Sequence, residues 1–335
     1  MGNKKFFWVV VLILLIVAAF VFFVSPPLLR NGRQAPKRVA MLTASDLQLA
    51  AVDGIKAGFK ELNLVEGRDF IIELKNPKGD RNLTTKMARE IVNSEPDLIV
   101  SVSTSASSAI KEANKDAKIP VVAVDVGNFK ELGIENVQHP GGFMTGVIVD
   151  NVAIAPKRME ILKTLNPALK TIGVLVNPKH VSYDEIIKAH EDGAKKLGIK
   201  VLWYEMTKKE EVAPAMARLV KDRPDAVMTT SEATISGNSD LIAPSLRKTK
   251  IASIDFNVER GVGSGYLMVY GASRYDVGRQ GARMISKVLG GEKPGDIPVE
   301  FASTLTFEIN AALAGEMGIK IPESLLLQAS KVYNE

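Results

Sequence analysis

PDLIVSVSTSASSAIKEA, residues 96–113, holds two structures end to end. Leu98-Ile99-Val100-Ser101-Val102 is a short aliphatic and β-branched run, the pattern of a buried strand, and from Ser103 the chain changes to small hydroxyl residues that lead into a helical pattern. The hydroxyls therefore fall at the N-cap and first turn of a helix. Unpaired backbone N–H groups and the positive end of the helix dipole converge there. Such a place suits an anion, for example a ligand carboxylate, although Ser and Thr also stand there simply as caps.

The same alternation runs outward from this stretch in both directions. Val39-Ala40-Met41-Leu42 reads as a first strand, Leu49 to Leu62 as a helix, Phe70-Ile71-Ile72-Glu73-Leu74 as a second strand, Leu83 to Val92 as a helix, and Val121 to Val124 as a fourth strand. Strands alternating with amphipathic helices predict a parallel sheet with crossover helices. The series recurs about 128–135 residues later: Ile172-Gly173-Val174-Leu175 answers the first strand, Pro224-Asp225-Ala226-Val227 answers Pro96-Asp97-Leu98-Ile99, and Ile251 to Asp255 answers Val121 to Asp125. Any two doubly wound domains align to some extent in this way. Either way the chain contains two open parallel sheets, and such sheets bind ligands beyond the carboxyl ends of their strands.

The strand-end loops are accordingly where function is read. They carry Ser45-Asp46, Ser103-Thr104-Ser105-Ala106 and Asp125 in the first half, and Asn177-Pro178, Ser231-Glu232-Ala233-Thr234 and Asp255 in the second. Glu232 and Asp255 could neutralise an ammonium group or be solvated loop acids. A carboxylate clamp in one lobe facing an ammonium clamp in the other would suit an amino acid. Catalytic patterns are absent: His139, His180 and His190 are the only histidines, none in a metal or triad spacing, so surface or loop placement is expected for them. There is no Walker A loop, no GxGxxG after the first strand and no GxSxG. Gly261-Val262-Gly263-Ser264-Gly265 reads as a flexible crossover between lobes. No enzyme activity, metal or cofactor is expected.

With 335 residues, 46% hydrophobic and 24% charged, the chain has the composition of a globular protein. It contains no cysteine, which excludes disulfides, thiol nucleophiles and a lipid-bearing cysteine. The net charge of +5 falls to +3 from residue 25 onward, 41 basic against 38 acidic residues, a weak argument for nucleic acid. Phe6 to Val24 is an unbroken apolar run of 19 residues, long enough to cross a bilayer. Its exit, Phe22-Phe23-Val24-Ser25-Pro26-Pro27, lacks the small-x-small pattern of a cleavage site. An uncleaved signal anchor is expected, with a removed signal peptide as the alternative, followed by a short proline-bearing tether, residues 25–36. The flanking charges nearly tie and do not fix its orientation.

These residues resemble the two-lobed substrate-binding proteins of ABC transporters, in the branch whose characterised members bind aromatic amino acids. The resemblance covers about Arg38 to Glu323. It rests on the order and spacing of Val65-Glu66-Gly67, Gly141-Gly142-Phe143-Met144-Thr145-Gly146-Val147, Val174-Leu175-Val176-Asn177-Pro178, Gly278-Arg279-Gln280, Leu289-Gly290-Gly291-Glu292-Lys293-Pro294, and Asn310 with Gly318-Ile319-Lys320-Ile321-Pro322-Glu323. It implies an α/β fold of two doubly wound parallel-sheet lobes joined by a hinge, a type I periplasmic-binding-protein fold, here preceded by one transmembrane helix. The lobes would take residues 37–148 with 267–296 and 149–266 with 297–330, after an anchor at 1–24.

The resemblance also implies that Ser103-Thr104-Ser105-Ala106 meets a ligand carboxylate, that Glu232 stands where the family usually has Asp, and that Asn177 matches a strand-end Asn. Three departures bear on the ligand more than on the fold: the family's Asp-Pro after the fourth strand is replaced near Gly127-Asn128, the asparagine of its Gly-Gly-Asn-Val-Thr-Gly motif is Phe143, and the polar partner after the acidic position is Ala233. The expected protein is a single-pass, membrane-tethered, extracytoplasmic binding protein. It would hold a small organic ligand at Ser45, Ser103–Ala106, Asp125, Asn177, Glu232 and Asp255, and ABC permease subunits would be its partners, with no nucleic acid. A sensor that signals to a membrane partner without transport is the alternative.

Overall fold

The computed structural model describes residues 35–335 apart from residue 181. The apolar run Phe6–Val24 and the tether up to residue 34 lie outside the described residues. Among the described residues no helix is long and apolar enough to cross a membrane.

The chain first builds β1 (Lys37–Leu42), α1 (Leu49–Glu61), β2 (Phe70–Lys75), α2 (Arg81–Asn93), β3 (Leu98–Val102), α3 (Thr104–Ala113), β4 (Val121–Val126) and β5 (Met144–Ile148). It then crosses to a second lobe for α4 (Ala155–Leu165), β6 (Thr171–Val176), α5 (Tyr183–Leu197), β7 (Lys200–Glu205), α6 (Val212–Asp222), β8 (Ala226–Thr229), α7 (Ala233–Ser236), α8 (Ser239–Thr249), β9 (Ala252–Asp255), α9 (Gly261–Ser264) and β10 (Met268–Gly271). A second crossing leads to α10 (Arg274–Leu289) and β11 (Glu300–Phe301) in the first lobe. The third returns the chain to the second lobe for β12 (Thr306–Asn310), α11 (Ala311–Met317), α12 (Glu323–Gln328) and β13 (Lys331–Tyr333).

The sheets have the orders β11-β5-β4-β3-β1-β2 and β13-β12-β10-β9-β8-β6-β7. The first sheet is parallel throughout, and the second is parallel except where β10 meets β12. The order β4-β3-β1-β2 recurs as β9-β8-β6-β7, which is the sequence repeat expressed as topology. All five residues of β3 are buried, so its apolar run reflects helices on both faces of the sheet.

Two lobe borders shift from the expected ones. Residues 267–271 belong to the second lobe because β10 continues the hydrogen-bonded ladder beside β9, and residues 297–302 belong to the first because β11 pairs with β5. The second lobe also runs on to β13. Gly261–Gly265 is not a crossover: it forms the single turn α9 inside the second lobe, where a Cβ on Gly261 would sit 2.4 Å from Val269 Cγ2.

In the first lobe α10 covers the sheet beside α1, although the two are far apart in sequence. Val277, Ala282, Met284, Ile285 and Val288 of α10 join Val39, Met41, Ile55, Val122, Val124 and Val147 in one apolar cluster. His190 also departs from expectation. It is buried on α5, its Nδ1 2.7 Å from the Ile186 carbonyl oxygen and its ring edge-on to Trp203, because that helix face packs inward.

Candidate functional site

The expected residues lie at the carboxyl ends of strands in the two sheets and separate into three groups; none of them lines the cavity at the lobe crossings. Ser45, Ser103, Thr104 and Ser105 follow β1 and β3 in the first lobe. Ser45 caps a short turn: Leu47 N–H donates to its Oγ at 3.4 Å, while its own N–H and Oγ reach Gln48 Oε1 at 3.0 and 2.9 Å. Ser103 caps α3 by accepting from Ala106 N–H at 3.2 Å, at a φ of +107° that few non-glycine residues adopt. Thr104 Oγ1 accepts from Gly127 N–H at 3.0 Å and so ties the start of α3 to the loop after β4. Ser105 is exposed, whereas the Ala106 side chain is fully buried in the core. With Ala106 N–H taken by the Ser103 cap and Ser107 N–H by the Ser103 carbonyl, the Thr104 and Ser105 N–H groups are the ones left without an intrahelical acceptor.

On the second lobe Glu232 is 4% exposed. One of its oxygens, Oε1, accepts from Asn177 N–H at 3.0 Å and from Thr230 Oγ1 at 2.9 Å, and Oε2 has no partner among the described residues. Burial pushes the carboxyl up to about 7, against the pull of those two donors. Asn177 Nδ2 reaches Thr234 Oγ1 at 3.4 Å, and Lys179 N–H donates to Asn177 Oδ1 at 2.9 Å. The loops after β6 and β8 are thus joined around one buried acid.

The third group is committed inside the protein. Asp255 is 2% exposed, with Oδ1 taking the Thr229 hydroxyl and Oδ2 the Asn257 N–H at 3.2 Å. Asp125 sits at φ +58° in a register irregularity between β4 and β5, and its Oδ2 accepts from Arg274 Nε at 3.1 Å. Both acids are thus engaged by partners of the protein's own.

A cavity of about 370 Å³ lies at the crossings, lined by residues that no sequence pattern marks as a site. Its apolar wall is Phe129, Ile134, Ile148 and Val152, with Asn128 and Lys130 from the first lobe and Glu185 from the start of α5 in the second. Asn128 Nδ2 stands 3.5 Å from Glu185 Oε2, a loose contact across the cleft. Of the cavity residues, only Gly127-Asn128 carries a signal in the sequence, as a departure from the family's Asp-Pro. Their proximity to α5 depends on the lobe crossings, which no local pattern announces. Among the described residues no cluster of His, Asp and Glu is placed to hold a metal ion.

Comparison with known proteins agrees with this architecture. The family described as "ABC transporter substrate binding protein" matches residues 38–333. A tyrosine-binding protein of Clostridioides difficile (strain R20291) is 29% identical over 254 residues, covering 74% of this chain and 72% of the relative. The structure of an ABC domain in complex with L-Trp from Streptococcus pneumonia superposes with a TM-score of 0.76 at 27% identity, covering 88% of this chain and 99% of that one. A conserved domain protein from Vibrio cholerae O1 biovar El Tor has the same fold, with a TM-score of 0.79 at 24% identity over 88% of this chain and 99% of its own.

Proposed function

This chain belongs to the ABC transporter substrate-binding proteins, and from that membership we propose that it closes two lobes over an amino acid or close relative outside the cytoplasm and presents it to a permease. Family membership makes it a binding protein and not an enzyme.

The observation that carries the ligand reading is the cavity at the crossings, whose walls come from both lobes. Its 370 Å³ lies within the roughly 300–1,000 Å³ usual for small-molecule sites. Its apolar wall suits a hydrophobic side chain. The ligand carboxylate would take the N–H groups at the start of α3, beside Ser103, Thr104 and Ser105, with Ser45 at the edge. The ammonium would turn toward Asn177 and Glu232. Closure follows from differential affinity: a ligand touching both lobes stabilises the state in which both can reach it. Phe6–Val24 would tether the protein to the membrane, since the chain has no cysteine to carry a lipid.

Thermal-shift screening of the full chain against L-tryptophan, L-tyrosine, other amino acids, nucleosides and short peptides tests this reading. Ligand at 100 times its Kd should stabilise by about 2.7 kcal/mol. The combined Thr104→Ala and Glu232→Ala variant should lose that stabilisation. No response to any compound would end the binding reading.

A further inference from the structure

Arg274 is the first residue of α10 and stands directly after the second crossing between lobes. Its guanidinium is nearly enclosed, with the side chain 13% exposed. Nε donates to Asp125 Oδ2 at 3.1 Å, on the irregular end of β4 in the first lobe. Nη1 donates to Glu259 Oε2 at 2.9 Å and to Asn257 Oδ1 at 3.0 Å, both on the loop after β9 in the second lobe. The Arg274 N–H also meets Glu259 Oε1. One cation on the crossing segment is therefore held by an acid from each lobe.

We propose that Arg274 is the pin about which the lobes turn, and that its joint hold on Asp125 and Glu259 sets the angle between them in the ligand-free chain. The electrostatics follow from burial. Burial pushes the Asp125 carboxyl up and the nearby Glu259 adds to that, while Arg274 opposes both. Burial alone would disfavour the guanidinium charge, but Asp125 and Glu259 together hold it above its ordinary value. Without the cation two largely enclosed acids from opposite lobes face each other, and they relieve this by separating or by taking up a proton. Separation means rotation at the crossing. The guanidinium fork serves two carboxylates at fixed angles, so it selects a lobe angle as well as a charge balance. The lobe angle influences affinity because ligand binding has to move or select it, and that consequence alone rests on the binding reading above.

The test measures the lobe angle without ligand. The chain has no cysteine, so Asn82→Cys on α2 and Lys209→Cys before α6, both exposed and following the edge strands β2 and β7 of the two lobes, accept spin labels cleanly. Electron–electron distance measurements on the full chain should give a single narrow distribution with Arg274 present. Arg274→Gln should shift its mean by about 2 Å or more or broaden it clearly, and Arg274→Lys should fall between the two. Should Arg274→Gln not fold, Glu259→Gln removes the second lobe's acid and leaves the Asp125 contact intact, and it should shift the distribution in the same way. Variants that melt earlier but keep the wild-type distance distribution would show a purely structural ion pair and overturn the proposal. Because no ligand is present, this result stands or falls independently of the thermal-shift screen.

Discussion

Glu232 shows what a single buried carboxylate does to the pH response. Its folded value of about 7 lies above the ordinary 4.5, so below pH 4.5 both the folded and unfolded chains hold the proton and the contribution to stability is complete. Between 4.5 and 7 the folded chain keeps a proton that the unfolded chain has released, so stability falls as pH rises. By pH 8 the loss amounts to about 3 kcal/mol. Glu232→Gln should therefore unfold at a higher urea midpoint than wild type at pH 8, and the difference should vanish at pH 4. Equal pH slopes for the two proteins would refute it. Comparison with wild type is necessary because His190, pushed down to about 4 by burial, works in the opposite sense and loses stability as pH falls below 6.5. The strand-end position of Glu232 was legible in the sequence, but its burial and its tie to Asn177 and Thr230 were not, since the same signal also marks Asp125 and Asp255. Arg274 was not, since the partners that give it meaning stand 149 and 15 positions away.

At the scale of elements, the strand and helix alternation was read nearly to the residue wherever apolar runs were long. Length alone does not decide it: the four-residue β8 and β9 are legible because they repeat β3 and β4, whereas the six-residue β7 and the strands β5, β10, β11 and β12 near the lobe crossings are not read as strands, and the two residues of β11 form one only by pairing with β5. The contact between α1 and α10 was hidden for a related reason: it depends on small residues facing each other across two distant helices. A Cβ on Gly54 would lie 1.9 Å from the Tyr275 carbonyl oxygen, and one on Gly278 would lie 2.0 Å from the Ala51 carbonyl oxygen. Backbone cannot yield there as a side-chain tip can. Gly54→Ala should therefore destabilise the protein by about 1–3 kcal/mol through forced separation of the helices. Chemical denaturation measures this directly, and a neutral substitution would show that the crossing is looser than the contact distances require.

The whole molecule is two lobes, each assembled from separated stretches of chain, and this bears on both folding and motion. The first lobe's sheet is begun by residues 37–148 but is covered on one face by α10 and completed at its edge by β11. Three crossings fasten each lobe to the other while leaving each core closed on itself, the condition for rigid-body rotation about a hinge. Residues 35–153 alone contain every strand of the first sheet except β11, yet leave the α10-facing side of Val39, Ile55, Val122, Val124 and Val147 open to water. That exposed apolar face should prevent a cooperative fold. The fragment should bind hydrophobic dye and unfold without a sharp urea transition, whereas the same fragment joined by a flexible linker to residues 272–302 should recover one. A cooperative transition in the bare fragment would mean that the lobe's core does not need α10. The discontinuous assembly would then be an accident of connectivity and not a requirement of the fold.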